Sequence, residues 1–448
     1  MSDYMFILES HLSAEQNAAL AAVQSVAAEA NISLFLAGGA MRDMLAGCPI
    51  RDLDFTVEGP AVKLARDLVK KTGAELIATD DHRKTAELRF PSGITCEVAM
   101  ARHEKFAKPG AKPQVSPATI HEDLRGRDFT MNAIALSLNR ASRGLLIDPT
   151  NGAADIERRE IRACSNYALY DDPIRLFRLL RFKARLGYEI EPRTASQFRN
   201  SLEAEMPRHV PPRALFAELR QIALEAAPDD LLRLLEEEGL LPHFCPALAG
   251  AKVNHAGFQK LAKGRAMIPF GVPFPVDWYA LTLYLLTQKL SPKERASLIA
   301  ATKMTPEEAA PWQKIEAHTK KLESALKSAK LSKASLVYQT LSKAPGEDIL
   351  LLYLNSGERI VQDRIKNFLT KYLTTASEVT DAEVTEASGL EPGTSKFAKA
   401  REERIGAHLD GRIRKPAPPP EPPPPPEPPP GGRRGPGRPP RRPATSIL

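Results

Sequence analysis

The sequence predicts an α+β protein: a mixed α/β head, an all-helical remainder, and a disordered Pro/Arg-rich C-terminus. Three observations lead there. Between residues 32 and 100, short apolar or alternating runs interleave with helical stretches and are punctuated by Gly and Pro. From Asp155 to about Tyr372 the apolar spacing is helical almost throughout. From Gly411 to Leu448 the chain holds 16 prolines, eight Arg or Lys and two Glu, which is low-complexity and extended.

Taken in order, Ser13 to Ala30 is Ala-rich and helical in pattern, and Ile32 to Ala37 reads as a buried strand. Gly38-Gly39 follows, and Ala40 to Ala46 begins a helix. Arg51 to Val57 alternates charged and apolar residues, the period of a strand with two distinct faces. Pro60 to Thr72 is a helix. Thr85 to Phe90 and Ile94 to Met100 are strands joined by the turn-forming Pro91-Ser92-Gly93. His103 to His121, rich in Pro, Lys and Gly, reads as a mobile loop that reshapes the site. Beyond about Thr375 the pattern fades, so 386–448 is expected to be a disordered tail.

Composition narrows the function. The tail carries +6 of the formal +7, so net charge gives no body-wide field for nucleic acid. Cys48, Cys96, Cys164 and Cys245 are far apart without a CxxC pair, which excludes a zinc ribbon and argues against a disulfide framework. No basic start followed by an apolar run marks a signal peptide, and no run approaches the roughly 18 apolar residues of a membrane span. The expectation is a soluble cytoplasmic protein with no membrane and no obligate protein partner.

Chemistry concentrates in the head. On a strand, Asp52 and Asp54 share one face, and two such carboxylates suit a hard divalent cation such as Mg²⁺. A solvated strand face would look the same. Glu97 sits between apolar residues on a later strand and joins the pair if the two strands are neighbours. Three acids could hold two metal ions and activate an attacking oxygen. Gly38-Gly39 at a strand-to-helix turn lets backbone amides approach an anion, and Arg42 one turn on reaches the same anion.

These residues resemble a known pattern. Leu36-Ala37-Gly38-Gly39-Ala40-Met41-Arg42-Asp43 followed by Arg51-Asp52-Leu53-Asp54 is similar to motif A of the bacterial-type (class II) tRNA nucleotidyltransferase/poly(A) polymerase family, the CCA-adding enzymes, with their polymerase-beta-like head. Asp123 to Ala133 resembles motif B, Asp148 to Asp155 with Ile161-Arg162 motif C, and Asp171-Asp172-Pro173-Ile174-Arg175 with its continuation to Gly187 motif D. Two positions depart from the family: Asp171 stands where a Glu is usual, and Gly126 where motif B usually opens with Arg, although Arg125 lies one position earlier.

The resemblance implies a head at 1–140, a helical neck with base recognition at 141–225, and an RNA-binding body and tail at 226–385. It implies transfer of nucleotides from CTP and ATP to a tRNA or other RNA 3′ end with two Mg²⁺ ions. Asp52 and Asp54 would hold metal, with Glu97 the third catalytic acid. Gly38, Gly39 and Arg42 would hold the triphosphate, and Arg127 and Asp128 the sugar and phosphates. Asp171, Asp172 and Arg175 would read the base, with Arg178 on the same helix face. An ordinary ion pair is the plain alternative for Asp171 and Arg175. Arg208-His209 with Arg213, Lys260, Lys263, Arg265 and Lys320-Lys321 are candidate RNA contacts. The rival functions are a poly(A) polymerase and an RNA-binding protein without catalysis.

Overall fold

The structure is a computed structural model and describes residues 4–249, 252–302 and 304–413. The polyproline and Arg-Pro portion of the expected tail lies outside the described residues. Two helices open the chain, α1 (Tyr4–His11) and α2 (Ala14–Glu29). Ser13 caps α2: its hydroxyl accepts from the Gln16 amide at 3.1 Å, and the Gln16 side chain accepts from the Ser13 amide at 2.9 Å. That reciprocal pair satisfies donors a helix start otherwise leaves open.

The head continues with β1 (Ser33–Ala37), α3 (Gly39–Leu45), β2 (Leu53–Glu58), α4 (Ala61–Thr72), β3 (Glu75–Asp80), β4 (Thr85–Arg89) and β5 (Thr95–Met100). A hairpin of β6 (Arg102–Lys105) and β7 (Gln114–Pro117) leads to α5 (Ile120–Gly126), then β8 (Ala135–Ser137) and β9 (Leu146–Ile147). Seven strands pair in the order β3-β4-β5-β2-β1-β8-β9. From Leu34 on, β1 is apolar, and both its faces are covered. Leu34 and Leu36 join the main core with Leu64 and Leu68 of α4, whereas Phe35 and Ala37 pack with Ile120 and Leu124 of α5. β2 gives Leu53, Phe55 and Val57 to the main core, which turns Asp54 to the opposite face. There β2 runs parallel to β5, with Asp54 directly opposite Glu97.

The structure corrects three readings of the head. β2 begins at Leu53, so Asp52 lies one residue ahead of the strand and is exposed. β3 was not expected: all six of its residues are exposed at the sheet edge, and a bulge between Leu76 and Ala78 breaks its register. His103 to His121 is not simply a loop. β6 and β7 pair antiparallel from Arg102 against Pro117 to Lys105 against Gln114, and α5 begins at Ile120. The turn between them is also docked. The Gly110 amide donates to the Asp171 carbonyl at 3.1 Å, and a His82 ring nitrogen lies 2.8 Å from the Pro113 carbonyl.

The next segment has α6 (Gly152–Arg158), the short parallel pair β10 (Glu160–Ile161) and β11 (Glu189–Ile190), α7 (Ala168–Asp171), α8 (Ile174–Leu186), α9 (Pro192–Glu203), α10 (Pro212–Leu224) and α11 (Pro228–Glu237). Motif C is the joint to the head. Asp148 accepts the Gly152 and Ala153 amides at 2.8 and 2.9 Å, and Asp155 takes the Thr130 hydroxyl at 2.7 Å and Arg162 Nε at 3.1 Å. Gly152 packs so tightly that a Cβ there would stand 2.0 Å from the Thr130 carbonyl oxygen.

Helices continue as α12 (His255–Ala266), α13 (Trp278–Thr287), α14 (Pro292–Thr302), α15 (Pro306–Leu326), α16 (Ala334–Leu341), α17 (Gly346–Asn355) and α18 (Arg359–Asn367). Past the point where the sequence pattern fades come α19 (Leu373–Glu378), α20 (Asp381–Ser388) and α21 (Ser395–Leu409). The expectation of a disordered tail from 386 is therefore corrected as far as residue 413. Thr380 and Thr394 cap α20 and α21, and Val384, Phe397 and Ile405 close a small core of their own. Among the described residues, no helix is long and apolar enough to cross a membrane.

Candidate active site

β1 is followed by Gly38, whose backbone (φ 72°, ψ −126°) turns the chain sharply into α3. A Cβ there would stand 3.0 Å from a guanidinium nitrogen of Arg127, and one on Gly39 would stand 3.7 Å from a carboxylate oxygen of Asp54. The glycine pair thus lets the backbone close over both charged groups. The Gly38 amide itself donates to the Ile134 carbonyl at 3.1 Å, so it is engaged in the sheet and does not face an anion.

Beside the turn lies a cavity of about 600 Å³ between head and neck. Asp52, Asp54 and Glu97 all line it, and among the described residues none of the three accepts a hydrogen bond or forms a direct ion pair. Their crowding shows in the protonation of Asp54. Burial first, then the charges of Glu97 and Asp52, push its carboxyl up to about 7, against the pull of Arg127 and Arg42. Burial also raises Glu97, with Arg102 opposing. Unpaired oxygen donors in a recessed site are what a hard divalent cation requires. Among the described residues no group of three or more His, Cys, Asp or Glu is placed to hold an ion. Asp52 and Asp54 are the residues that would hold such an ion, with its other ligands drawn from water and substrate.

The facing wall is arginine. Arg127 is held by Asp123 (2.9 Å), Thr56 (3.1 Å) and the Asn132 carbonyl (3.1 Å). Arg42 is buried and bonds to Asp43 at 2.9 Å and to the Asn132 side chain at 2.7 Å. Asp128 works internally. One oxygen accepts the Phe129 amide at 2.8 Å, and the other takes a bidentate grip from Arg178 at 2.9 and 2.7 Å. Burial would raise that carboxyl, but Arg178 and Arg175 outweigh it and hold it far below the usual carboxylate range. Its position therefore fixes Arg178, while Asp128 itself still lines the cavity.

Motif D also differs from the expectation. Asp171 ends α7 and Asp172 lies between helices, so they do not share a helix with Arg175. Asp172 lies before Pro173, and a residue in that position is driven out of helical backbone. Its carboxylate faces Arg175 Nε at 3.5 Å inside the cavity, whereas Asp171 is exposed and is absent from the lining. Arg175 is anchored by its other nitrogens to the carbonyls of Arg127 (3.2 Å) and Gly126 (3.1 Å). Arg125 is exposed outside the cavity and does not replace the usual Arg at Gly126.

Several cavity residues were not singled out from sequence. Arg83, Arg102 and Glu104 come from the β3–β4 turn and the hairpin, where no pattern points to them. Phe182 is surrounded by guanidiniums: Arg181, Arg42 and Arg178 lie 4.8, 5.4 and 5.6 Å from its ring centre. Helical spacing does set this aromatic residue on an otherwise charged helix face, which a purely solvated face would rarely carry.

Residues 34–162 match the family described as the poly A polymerase head domain. An A-adding tRNA nucleotidyltransferase of Aquifex aeolicus is 32% identical over 247 residues, covering 55% of this chain and 28% of that protein. A CC-adding tRNA nucleotidyltransferase of Deinococcus radiodurans is 35% identical over 214 residues, covering 47% of this chain and 55% of that one. The chain thus spans at most about half the length of these relatives. The solved structure of a tRNA nucleotidyltransferase complexed with a primer tRNA and an incoming ATP analog superposes with a TM-score of 0.53 at 27% identity, covering 78% of this chain and 98% of that one.

Fold and site together define a head like that of the poly A polymerases, with a helical extension. Over this region the chain is similar to the bacterial-type tRNA nucleotidyltransferase/poly(A) polymerase family. Divalent-metal dependence goes with that family.

Proposed function

We propose that this chain adds CCA, or part of it, to tRNA 3′ ends from CTP and ATP, without a nucleic-acid template. The observation that carries this reading is the set of unpaired carboxylates at Asp52, Asp54 and Glu97 facing an arginine wall across one cavity. Asp52 and Asp54 would hold two Mg²⁺ ions, which when bound favour the ionised 3′-hydroxyl and neutralise the leaving pyrophosphate. Arg42 and Arg127 orient the triphosphate so that the 3′ oxygen bonds to the α-phosphorus as the α–β bridging bond breaks. Glu97 lies beside the incoming hydroxyl. Asp172 and Arg175 present an acceptor and a donor side by side, which complements the edge of cytosine or adenine.

Because only Asp172 faces the cavity, Asp172→Ala is expected to raise misincorporation of GTP and UTP at least tenfold, with Asp171→Ala close to wild type. Competition among the four nucleotides on one RNA measures both. The similarity to A-adding and CC-adding proteins leaves the product open, and the poly A polymerase description of the matched head supports a second reading as a poly(A) polymerase. Incubating a tRNA that lacks its 3′ end with CTP, ATP or both separates them. Three added nucleotides mean CCA, two mean CC, one on a CC-ended tRNA means A alone, and an open ladder means poly(A).

A further inference from the structure

We propose that Arg51, Arg185 and Arg265 form a rail for the phosphodiester backbone of the RNA strand whose 3′ end enters the cavity. The proposal rests on the RNA-extending reading above. Arg185, on α8, lines the cavity, and its nearest carboxylate is Asp43 at 3.6 Å. That carboxylate is already engaged by Arg42 at 2.9 and 2.7 Å, so two guanidiniums share one acid. Arg51 is exposed in the segment entering β2, directly before Asp52, with no carboxylate at ion-pair distance among the described residues.

Arg265, on α12, is anchored to backbone and has no carboxylate at ion-pair distance among the described residues, although Glu225 lies near it. It donates to the carbonyls of Glu225 and Leu224 at 2.8 and 2.9 Å and lies 4.2 Å over the Trp278 ring. It is tied to the cavity through Glu225, whose carboxylate lies 3.4 Å from the cavity-lining Arg181. Burial, then Arg42 and then Arg51 bear on Arg185, and burial, then Glu225 and then Arg51 on Arg265, which agrees with the placement of Arg51 next to the cavity-lining Asp52. The three come from the entry to β2, from α8 and from α12. Arg51 and Arg265 have no carboxylate at ion-pair distance among the described residues, and Arg185 has only a share of one; positive groups drawn from three separate elements in this way match an extended polyanion better than one compact triphosphate.

The test uses the full chain with Arg51→Gln, Arg185→Gln and Arg265→Gln, a CC-ended tRNA and ATP. Each substitution is expected to raise KM for the tRNA about tenfold while KM for ATP stays within about twofold. The slope of log affinity for RNA against log salt is expected to fall by about 0.7 per residue. Arg51→Gln, on an exposed segment without an acid partner, keeps the test valid if Arg265→Gln fails to fold. Unchanged tRNA KM and salt slope in Arg51→Gln and Arg185→Gln would overturn the rail. A rise in KM for ATP instead would also overturn it, because the arginines would then be holding triphosphate. If the wild type extends no RNA yet the substitutions still lower the salt slope, the functional reading fails and the rail stands.

Discussion

Asp54→Asn is expected to lower nucleotide transfer at least a thousandfold while making the metal-free protein more stable. Both effects follow from one cause. The Asp54 carboxyl is crowded by Glu97 and Asp52 and has no hydrogen-bond donor, so its ionised form is unfavourable until a cation arrives. Its folded-state value of about 7 lies above that of the unfolded chain, so between roughly pH 4 and 7 the folded state binds more protons. Stability of the metal-free protein therefore falls as pH rises through that window. The full shift would correspond to about 4 kcal/mol, and water in the open cleft reduces this to on the order of 2 kcal/mol. Asn removes the charge and with it the loss. Urea unfolding at pH 5 and pH 8 in EDTA should show wild type and variant converging at the lower pH and diverging at the higher. Equal stability at both would show that the carboxylates are not in conflict.

Asp128→Ala is expected to destabilise the fold by about 3–5 kcal/mol, because it leaves the Arg178 guanidinium without its bidentate partner. Burial alone would raise the Asp128 carboxyl, and the arginines reverse that, so the folded value lies below the unfolded one. Its contribution is fully present above the ordinary carboxylate range near pH 4 and is lost only as pH falls through the depressed value. Between pH 5 and 8 it is constant, unlike that of Asp54. Arg178→Met alone leaves a buried carboxylate that can protonate, and in the double variant no charge is stranded. The double variant should therefore be more stable than Asp128→Ala, with a coupling of about 2 kcal/mol or more in a double-mutant cycle read by urea unfolding. Simple additivity would mean the pair does not act as a unit.

What could be read from the sequence follows from which elements have two contrasting faces. β1 is apolar from Leu34 on and β2 alternates, and those features located Gly38, Gly39 and the acids around them. That Asp54 and Glu97 stand opposite each other needed the parallel pairing of β2 with β5, which follows from neither strand alone. β3, β6 and β7 escaped because their residues are mostly exposed, so no hydrophobic period marks them. The helix assigned to Asp171 and Asp172 ignored Pro173, whose ring excludes helical backbone at the residue before it. That Asp128 is gripped by Arg178 could not be read from the sequence, because the two stand 50 positions apart. Helical spacing placed Phe182 among charges but gave no hint that Arg42 would cross from the head to meet it.

Single-turnover transfer of α-labelled CMP and AMP to a tRNA lacking its 3′ end tests most directly whether Asp52 and Asp54 drive this chemistry. The account predicts labelled tRNA with Mg²⁺, none with EDTA, and at least a thousandfold slower labelling in both Asp52→Asn and Asp54→Asn, with RNA still bound. Labelling that persists at the wild-type rate in either variant, or a wild type that labels no RNA with Mg²⁺ present, would contradict it.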